Sequence, residues 1–290
     1  MYFVATMKAP ITLLLLMVSA VSFAQKSDPE QELNDIYFSK NVYEVLTTNY
    51  NFYQPYRDSG MITLENYIAK YPANPQRFVA MRYLAQIFEK YNLVDSAVLF
   101  YKQVLTMPEN IDHYNSNRYT AASSLTKIYL DRKDYSTALT YLEQASGQFF
   151  FKSSCGTVTI ELRQKISAQY WDCYNGLGDY KQAIDRFARF MFNNVWGSQQ
   201  MLYEAYVKVY SKEELRKAFL EAANKIEIKK EQDDSSFYLQ PVFKIFDKEI
   251  KLYSGNGFEK LTEQEQKQKC LEEIMQSKMY KLATWNAVKN

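Results

Sequence analysis

The stretch YWDCYNGLGDYKQAIDRF, residues 170–187, decides how the chain is to be read. Gly176-Leu-Gly178 is a helix-to-helix turn and not a phosphate loop, since no Lys-Ser or Lys-Thr follows it. After the turn, Ala183 is followed four residues later by Phe187; before it, Tyr174 stands nine residues ahead of Ala183, and Tyr170 four ahead of that. A small residue at the alanine position lets two antiparallel helices approach closely, and the rings fill the angle between them.

The same pattern recurs along the chain. Ala97/Tyr101 and Ala138/Leu142 repeat the small-then-large pair, and Thr63/Tyr67 fits it. Phe88 and Tyr129 stand nine residues before their alanines, with Leu84 and Leu125 four before those. Residues 199–226, QQMLYEAYVKVYSKEELRKAFLEAANKI, form a fourth unit with Ala205, Val209, Ala218 and Ala222 at the matching places. The anchors Thr63, Ala97, Ala138, Ala183 and Ala218 lie 34, 41, 45 and 35 residues apart. The two longer steps carry the inserts DHYNSNR and FFFKSSCGT.

This period and pattern resemble the tetratricopeptide repeat, W-x2-L-G-x2-Y, then A-x3-F, then P. The Trp and Gly are mostly replaced here, and the closing Pro is clear only at Pro75 and Pro108. The resemblance covers roughly residues 35–230. It implies an all-α fold, a right-handed α-solenoid of helix-turn-helix repeats in which each pair covers the apolar face of the one before.

Composition agrees with helices. Eight glycines and seven prolines in 290 residues leave little turn chemistry for a many-stranded barrel or sandwich. The 47% hydrophobic content can fill a core, and 35 basic against 33 acidic residues removes the footprint of a nucleic-acid binder. One histidine and three cysteines speak against His-built zinc sites and against a disulfide framework, so free thiols are expected at Cys155, Cys173 and Cys270.

At the N-terminus, Lys8 precedes the apolar run ITLLLLMVSAVSF, residues 11–23, and small residues Ser22 and Ala24 precede Gln25. Charged start, apolar middle and small-x-small exit make residues 1–24 a secretory signal, too short to span hydrocarbon as a stable anchor. Residues 25–34 read as a linker. Asp95, Asp134 and the box Ser211–Glu214 read as helix starts. Residues 231–290 read as a C-terminal helical hairpin capping the repeats. Its first helix is VFKIFDKEIKLY, 242–253, closed by Gly255-Asn-Gly257; its second starts at Leu261 with the box Thr262–Glu265 and runs to about Trp285.

Catalytic chemistry finds no foothold. Asp112-His113 is the one acid–imidazole pair, with no nucleophile motif beside it, and Asp233-Asp234 is too short for a calcium loop. The reading is a non-enzyme with no cofactor and no metal site. In the tetratricopeptide family the first helix of each unit lines a concave, partner-binding face. By register, the resemblance places Arg82, Tyr83, Gln86 and Glu89 on that face, then Ser123 and Lys127, then Gln169 and Asp172. This mixture suits an extended internal segment of a protein or peptide partner. Twenty-five tyrosines, among them Tyr50, Tyr53 and Tyr56, keep glycan binding by exposed rings as the alternative. The chain is thus expected to be an exported scaffold, periplasmic or secreted. Mass analysis of the exported protein should find Gln25 at its N-terminus and no requirement for detergent; an intact Met1 or Met7 would refute cleavage.

Overall fold

The computed structural model describes residues 28–39, 42–47, 54–151, 155–188, 191–192, 198–232, 237–252 and 258–284. The expected export signal and cleavage site, with Tyr50, Tyr53, Asp233-Asp234 and Gly255-Asn-Gly257, lie outside them. The described chain is mostly helical, with thirteen α-helices and one small sheet, and it divides into two compact units at Ile111/Asp112. No described helix is long and apolar enough to cross a membrane.

The first unit contains α1 (Pro29–Ser39), α2 (Val42–Thr47), α3 (Gln54–Lys70), α4 (Gln76–Lys90) and α5 (Val94–Leu105). Leu64 and Tyr67 of α3, Leu84 and Ile87 of α4, and Ala97 and Tyr101 of α5 make its core. The expected linker is partly helix. Leu33 and Ile36 of α1 are buried, α1 packs on α3 and α4, and Glu32 takes an ion pair from Lys70 at 2.7 Å and a hydrogen bond from the Tyr71 hydroxyl. Burial of an amphipathic face, invisible in a ten-residue window, makes this segment fold. Asp95 is no cap: α5 starts one residue earlier, and Leu93 holds the N-cap position.

The second unit continues with α6 (Ser116–Asp131), α7 (Tyr135–Ser146), α8 (Gly156–Leu177), α9 (Tyr180–Phe187), α10 (Ser198–Val209) and α11 (Lys212–Ala223). α6 packs on α7, α7 on α8 and α9 on α10. Asp134, Asp179 and the Ser211–Glu214 box cap their helices through side-chain hydrogen bonds.

Three inter-helix turns have one backbone design. Five residues before each anchor alanine, Asn92, Lys133 and Gly178 all take left-handed φ, at 59°, 58° and 69°. In each turn the next amide reaches back to the ring-bearing residue of the first helix: Leu93 N to Phe88 O at 2.8 Å, Asp134 N to Tyr129 O and Asp179 N to Tyr174 O, both at 2.9 Å. This six-to-one bond satisfies a carbonyl that the helix end would leave orphaned. Above the turn, Phe88 stacks on Phe100 and Tyr129 on Tyr141, each at 5.6 Å. In the third pair Arg186 stands at the second ring's register position, and its guanidinium lies 3.1 Å from the Tyr170 ring centroid. Ala97, Ala138 and Ala183 have no exposed surface. Gly176 is needed for close approach, because a Cβ there would meet the Tyr135 ring of α7 at 2.5 Å.

After α11 the expected first helix of the tail is instead a sheet. β1 (Glu227–Gln232), β2 (Phe237–Ile245) and β3 (Lys248–Lys251) pair antiparallel in that order. The apolar residues of 242–253 satisfy helical spacing, but Phe243, Ile245, Ile250 and Leu252 also alternate with exposed Lys244 and Lys251. Such a short run is ambiguous by period alone, and β-branched content and Pro241 tip it to strand. Pro241 sits where β3 has ended, so only its carbonyl is used, accepting from Leu252 N at 3.0 Å. Ile245 pairs with Lys248 across a two-residue turn, in which Phe246 has φ 54° without being glycine. Tyr210, just after α10, stacks on the Phe246 ring at 3.8 Å and 10°, and Lys248 bridges Asp185 and Asp247 at 2.5 and 2.8 Å. The docked tip thus holds a backbone conformation the local sequence disfavours. The second tail helix forms with its Thr262–Glu265 capping box, as α12 (Glu263–Gln276), then breaks at Ser277 before α13 (Lys278–Thr284).

Two results follow from the turns and the thiols. Lys133→Gly should stabilise the protein by about 1 kcal/mol, and Gly178→Ala, whose Cβ meets nothing within 4 Å, should cost a similar amount. Thermal melts should therefore move in opposite directions, and equal or reversed shifts would mean the turns are not built alike. Cys155 is exposed, while Cys173 and Cys270 are free and buried. Burial pushes their thiols up to about 11 and about 12, with Asp172 and Glu273 adding to it. A disulfide reagent at pH 8 should titrate one thiol in the native protein and three after denaturation. Above the ordinary thiol range the unfolded chain releases these protons and the native state does not, so their contribution makes stability fall as pH rises toward 11.

Candidate functional site

In the first unit, α1 buries Leu33 and Ile36 and carries Tyr37 on the same side, one turn on from Leu33. Phe38, the next residue, is turned off that face and is 69% exposed. α2 buries Val42 and Val45 and leaves Tyr43 45% exposed. α4 supplies Arg82, Tyr83 and Gln86, all half-buried.

These residues form one aromatic platform. Tyr37 stacks on Tyr83 with centroids 4.6 Å apart and planes at 25°. Phe38 meets Tyr37 edge-on at 5.0 Å, and Tyr43 does so at 5.6 Å. The Arg82 guanidinium lies 4.4 Å from the Tyr83 centroid and donates to Gln86 Oε1 at 3.0 Å. Burial raises the Tyr37 hydroxyl above its usual range, Tyr83 adds to this, and Arg82 opposes it. The phenol stays neutral at ordinary pH and keeps its proton for hydrogen bonding. Edge-to-face and stacked contacts of this kind hold ring orientations fixed, so the platform is preorganised.

The other residues expected on a concave face fare differently. Glu89 accepts a hydrogen bond from the buried Tyr101 hydroxyl at 2.7 Å, tying α4 to α5. Ser123 is half-buried and hydrogen-bonds Tyr119, whose hydroxyl burial raises and Ser123 partly lowers. Lys127 is exposed and pairs with Asp131 at 2.8 Å, one turn along α6. Gln169 is only 9% exposed, which removes it from an open surface. Asp172 is exposed, and the helix surface around it strips enough water to raise its carboxyl. The structure therefore brings Arg82, Tyr83 and Gln86 into one surface, engages the half-buried Glu89 with Tyr101 and buries Gln169.

Sequence reasoning missed Tyr37, Phe38 and Tyr43. It looked for exposed rings in NYNFYQPYRD, where Tyr50 and Tyr53 lie outside the described residues. A usable signal existed: Leu33, Ile36 and Tyr37 complete one helix face, which leaves the adjacent Phe38 with no place on it.

Asp112 does not form the acid–imidazole pair that its neighbour suggested. Its two oxygens accept from the Asn117 amide and side chain at 3.0 and 3.1 Å, and from the Arg118 amide and Nε at 3.1 and 3.0 Å. Arg118, 4% exposed, also lies over Phe149 and donates to Asn115 Oδ1 at 2.7 Å. The carboxylate thus satisfies the start of α6 and a buried guanidinium together, which compensates the desolvation of both charges. His113 is exposed. Among the described residues no three His, Cys, Asp or Glu side chains gather as metal ligands.

No protein-family model, curated protein or solved structure matches this chain. What the platform can do is therefore argued from its own chemistry. It offers flat apolar area at low entropic cost, one guanidinium, one amide and phenol hydroxyls.

Proposed function

We propose that the protein is an exported, non-enzymatic interaction scaffold of the tetratricopeptide-like kind, whose helix pairs stack as a right-handed solenoid and hold an extended segment of a protein partner. The repeated turn at Asn92, Lys133 and Gly178 supports the repeat reading. The observation that carries the binding reading is the exposed pair Phe38 and Tyr43 set on the Tyr37–Tyr83 stack, with Arg82 and Gln86 beside it. Rings of this kind serve as hot spots because they bury large area with few rotatable bonds. An extended segment needs donors and acceptors along its backbone, and Gln86 with the tyrosine hydroxyls supplies both.

Glycan binding is the second reading, favoured by the 69% exposure of the Phe38 ring, since a sugar's apolar face stacks on an open aromatic ring. The partner should be identified by capture on the mature protein from its native envelope with mass spectrometry, alongside a glycan array. Phe38→Ala with Tyr43→Ala should weaken the partner about 10-fold or more, equivalent to ~1.4 kcal/mol, and Arg82→Glu should weaken it as well. Saturable array binding lost in the same variants would replace the peptide reading with the glycan one. Unchanged affinity of folded variants for the captured partner would show that the platform is not the site.

A further inference from the structure

The β2–β3 turn is Ile245-Phe246-Asp247-Lys248, and neither central residue is the glycine or asparagine that a two-residue turn favours. Phe246 nevertheless has φ 54°, a left-handed conformation that its Cβ opposes. Backbone strain of this kind persists where the surroundings hold it, and it gathers at places that move or bind.

Below the turn the hairpin is fixed. Phe243, Ile245 and Ile250 are buried, Phe243 meets Phe192 edge-on at 5.5 Å, and Glu249 pairs with Lys229 of β1 at 2.5 Å. Beyond them, residues 246–248 reach the helices through the Phe246 ring on Tyr210 and through Lys248 on Asp185 of α9. The Lys248 side chain is 30% exposed and that of Asp185 46%, so water and salt compete for the bridge.

The tip also lies against a group that gains from its departure. Tyr206 of α10 is fully buried, with its ring centroid 6.1 Å from that of Phe246. Its hydroxyl has no hydrogen-bond partner among the described residues. Burial holds this phenol well above its usual range, and Tyr210, Asp247 and Asp185 add to it. A buried hydroxyl left unpaired has lost its hydration, and contact with water restores it. The strain at Phe246 and the unpaired Tyr206 hydroxyl thus both oppose the docked position, which the ring stack and the bridge maintain. Phe246 has a second neighbourhood as well. With Val242 and Phe243 of β2 and Ala218 and Ala222 of α11, it lines a groove of about 500 Å³ between that helix and the sheet.

We propose that residues 246–248 are a latch with a second, undocked position, in which Phe246 leaves Tyr210, Lys248 leaves Asp185, the Tyr206 hydroxyl meets water and the groove opens where the ring had lined it. The hinges fall at Ile245 and Glu249, where buried or sheet-paired residues give way to the tip. Movement of three residues leaves the rest of the sheet paired.

The test is amide hydrogen exchange over residues 244–250 of the mature chain. It is joined to iodoacetamide labelling of Ala222→Cys in a Cys155→Ser background, since Ala222 lines the groove and is 3% exposed. In the native chain the tip should exchange about 10-fold or more faster than α10, as local opening does relative to global unfolding. Lys248→Met and Asp185→Asn each remove the bridge and should speed tip exchange and labelling together, as added salt should in the native chain. Tyr206→Phe keeps the ring, drops the hydroxyl and should slow both. Exchange in α6 and α7 should stay the same in every variant, which separates opening of the latch from loss of global stability. Where one bridge variant does not fold, the other and Tyr206→Phe carry the test. A tip that exchanges in step with α10 in the native chain and in the variants overturns the proposal. So does tip opening that leaves labelling at position 222 unchanged, because the tip would then not gate the groove.

Discussion

Close approach of paired helices at buried alanines is the constraint on which the rest of this protein depends. Ala97, Ala138 and Ala183 have no exposed surface, and each is reached through a turn with one left-handed residue and one six-to-one hydrogen bond. The turn sets the angle at which the second helix returns, and that angle decides which rings meet above it. Phe100 and Tyr141 stack on Phe88 and Tyr129, whereas Arg186 at the same register position lies over Tyr170, one turn before the matching ring Tyr174, so the third pair keeps the turn without keeping the ring-on-ring stack. The geometry is held by the backbone, and the side chains vary within it.

The insert before α6 is held by a few strong contacts. Asp112 is the clearest, since its two oxygens accept four hydrogen bonds and it neutralises a buried arginine. A residue that looked like half of a catalytic pair is thus an N-terminal anchor for α6. The β2–β3 turn shows the converse case. Phe246 in a left-handed conformation is locally unfavourable, and stacking on Tyr210 together with the Lys248 bridge holds it in place. In both segments tertiary contacts determine a conformation that neighbouring residues alone would not select.

Helix pairs were legible because their signal is periodic and repeated. An alanine, a ring nine residues earlier and a large apolar residue four later recur together in three units, at Ala97, Ala138 and Ala183. Capping boxes at Ser211 and Thr262 were legible for a different reason: their hydrogen bonds lie within four residues. The sheet was not, because its apolar residues satisfy two periods at once and its turn lacks the glycine or asparagine that marks a hairpin. The aromatic platform was only partly visible. Register reached Arg82, Tyr83 and Gln86, but nothing local places Tyr37, Phe38 and Tyr43 beside them across some forty residues of chain.

The sequence by itself determined the helical class, the spacing of the anchors and the positions of several helix starts, since each depends on residues a few places apart. Tertiary structure alone decided that part of the expected linker folds into α1, that the tail opens with strands, that Gln169 is buried while Glu89 engages Tyr101, and that four rings share one surface. Those outcomes rest on which apolar faces find cover, and burial is a property of the packed molecule rather than of any segment.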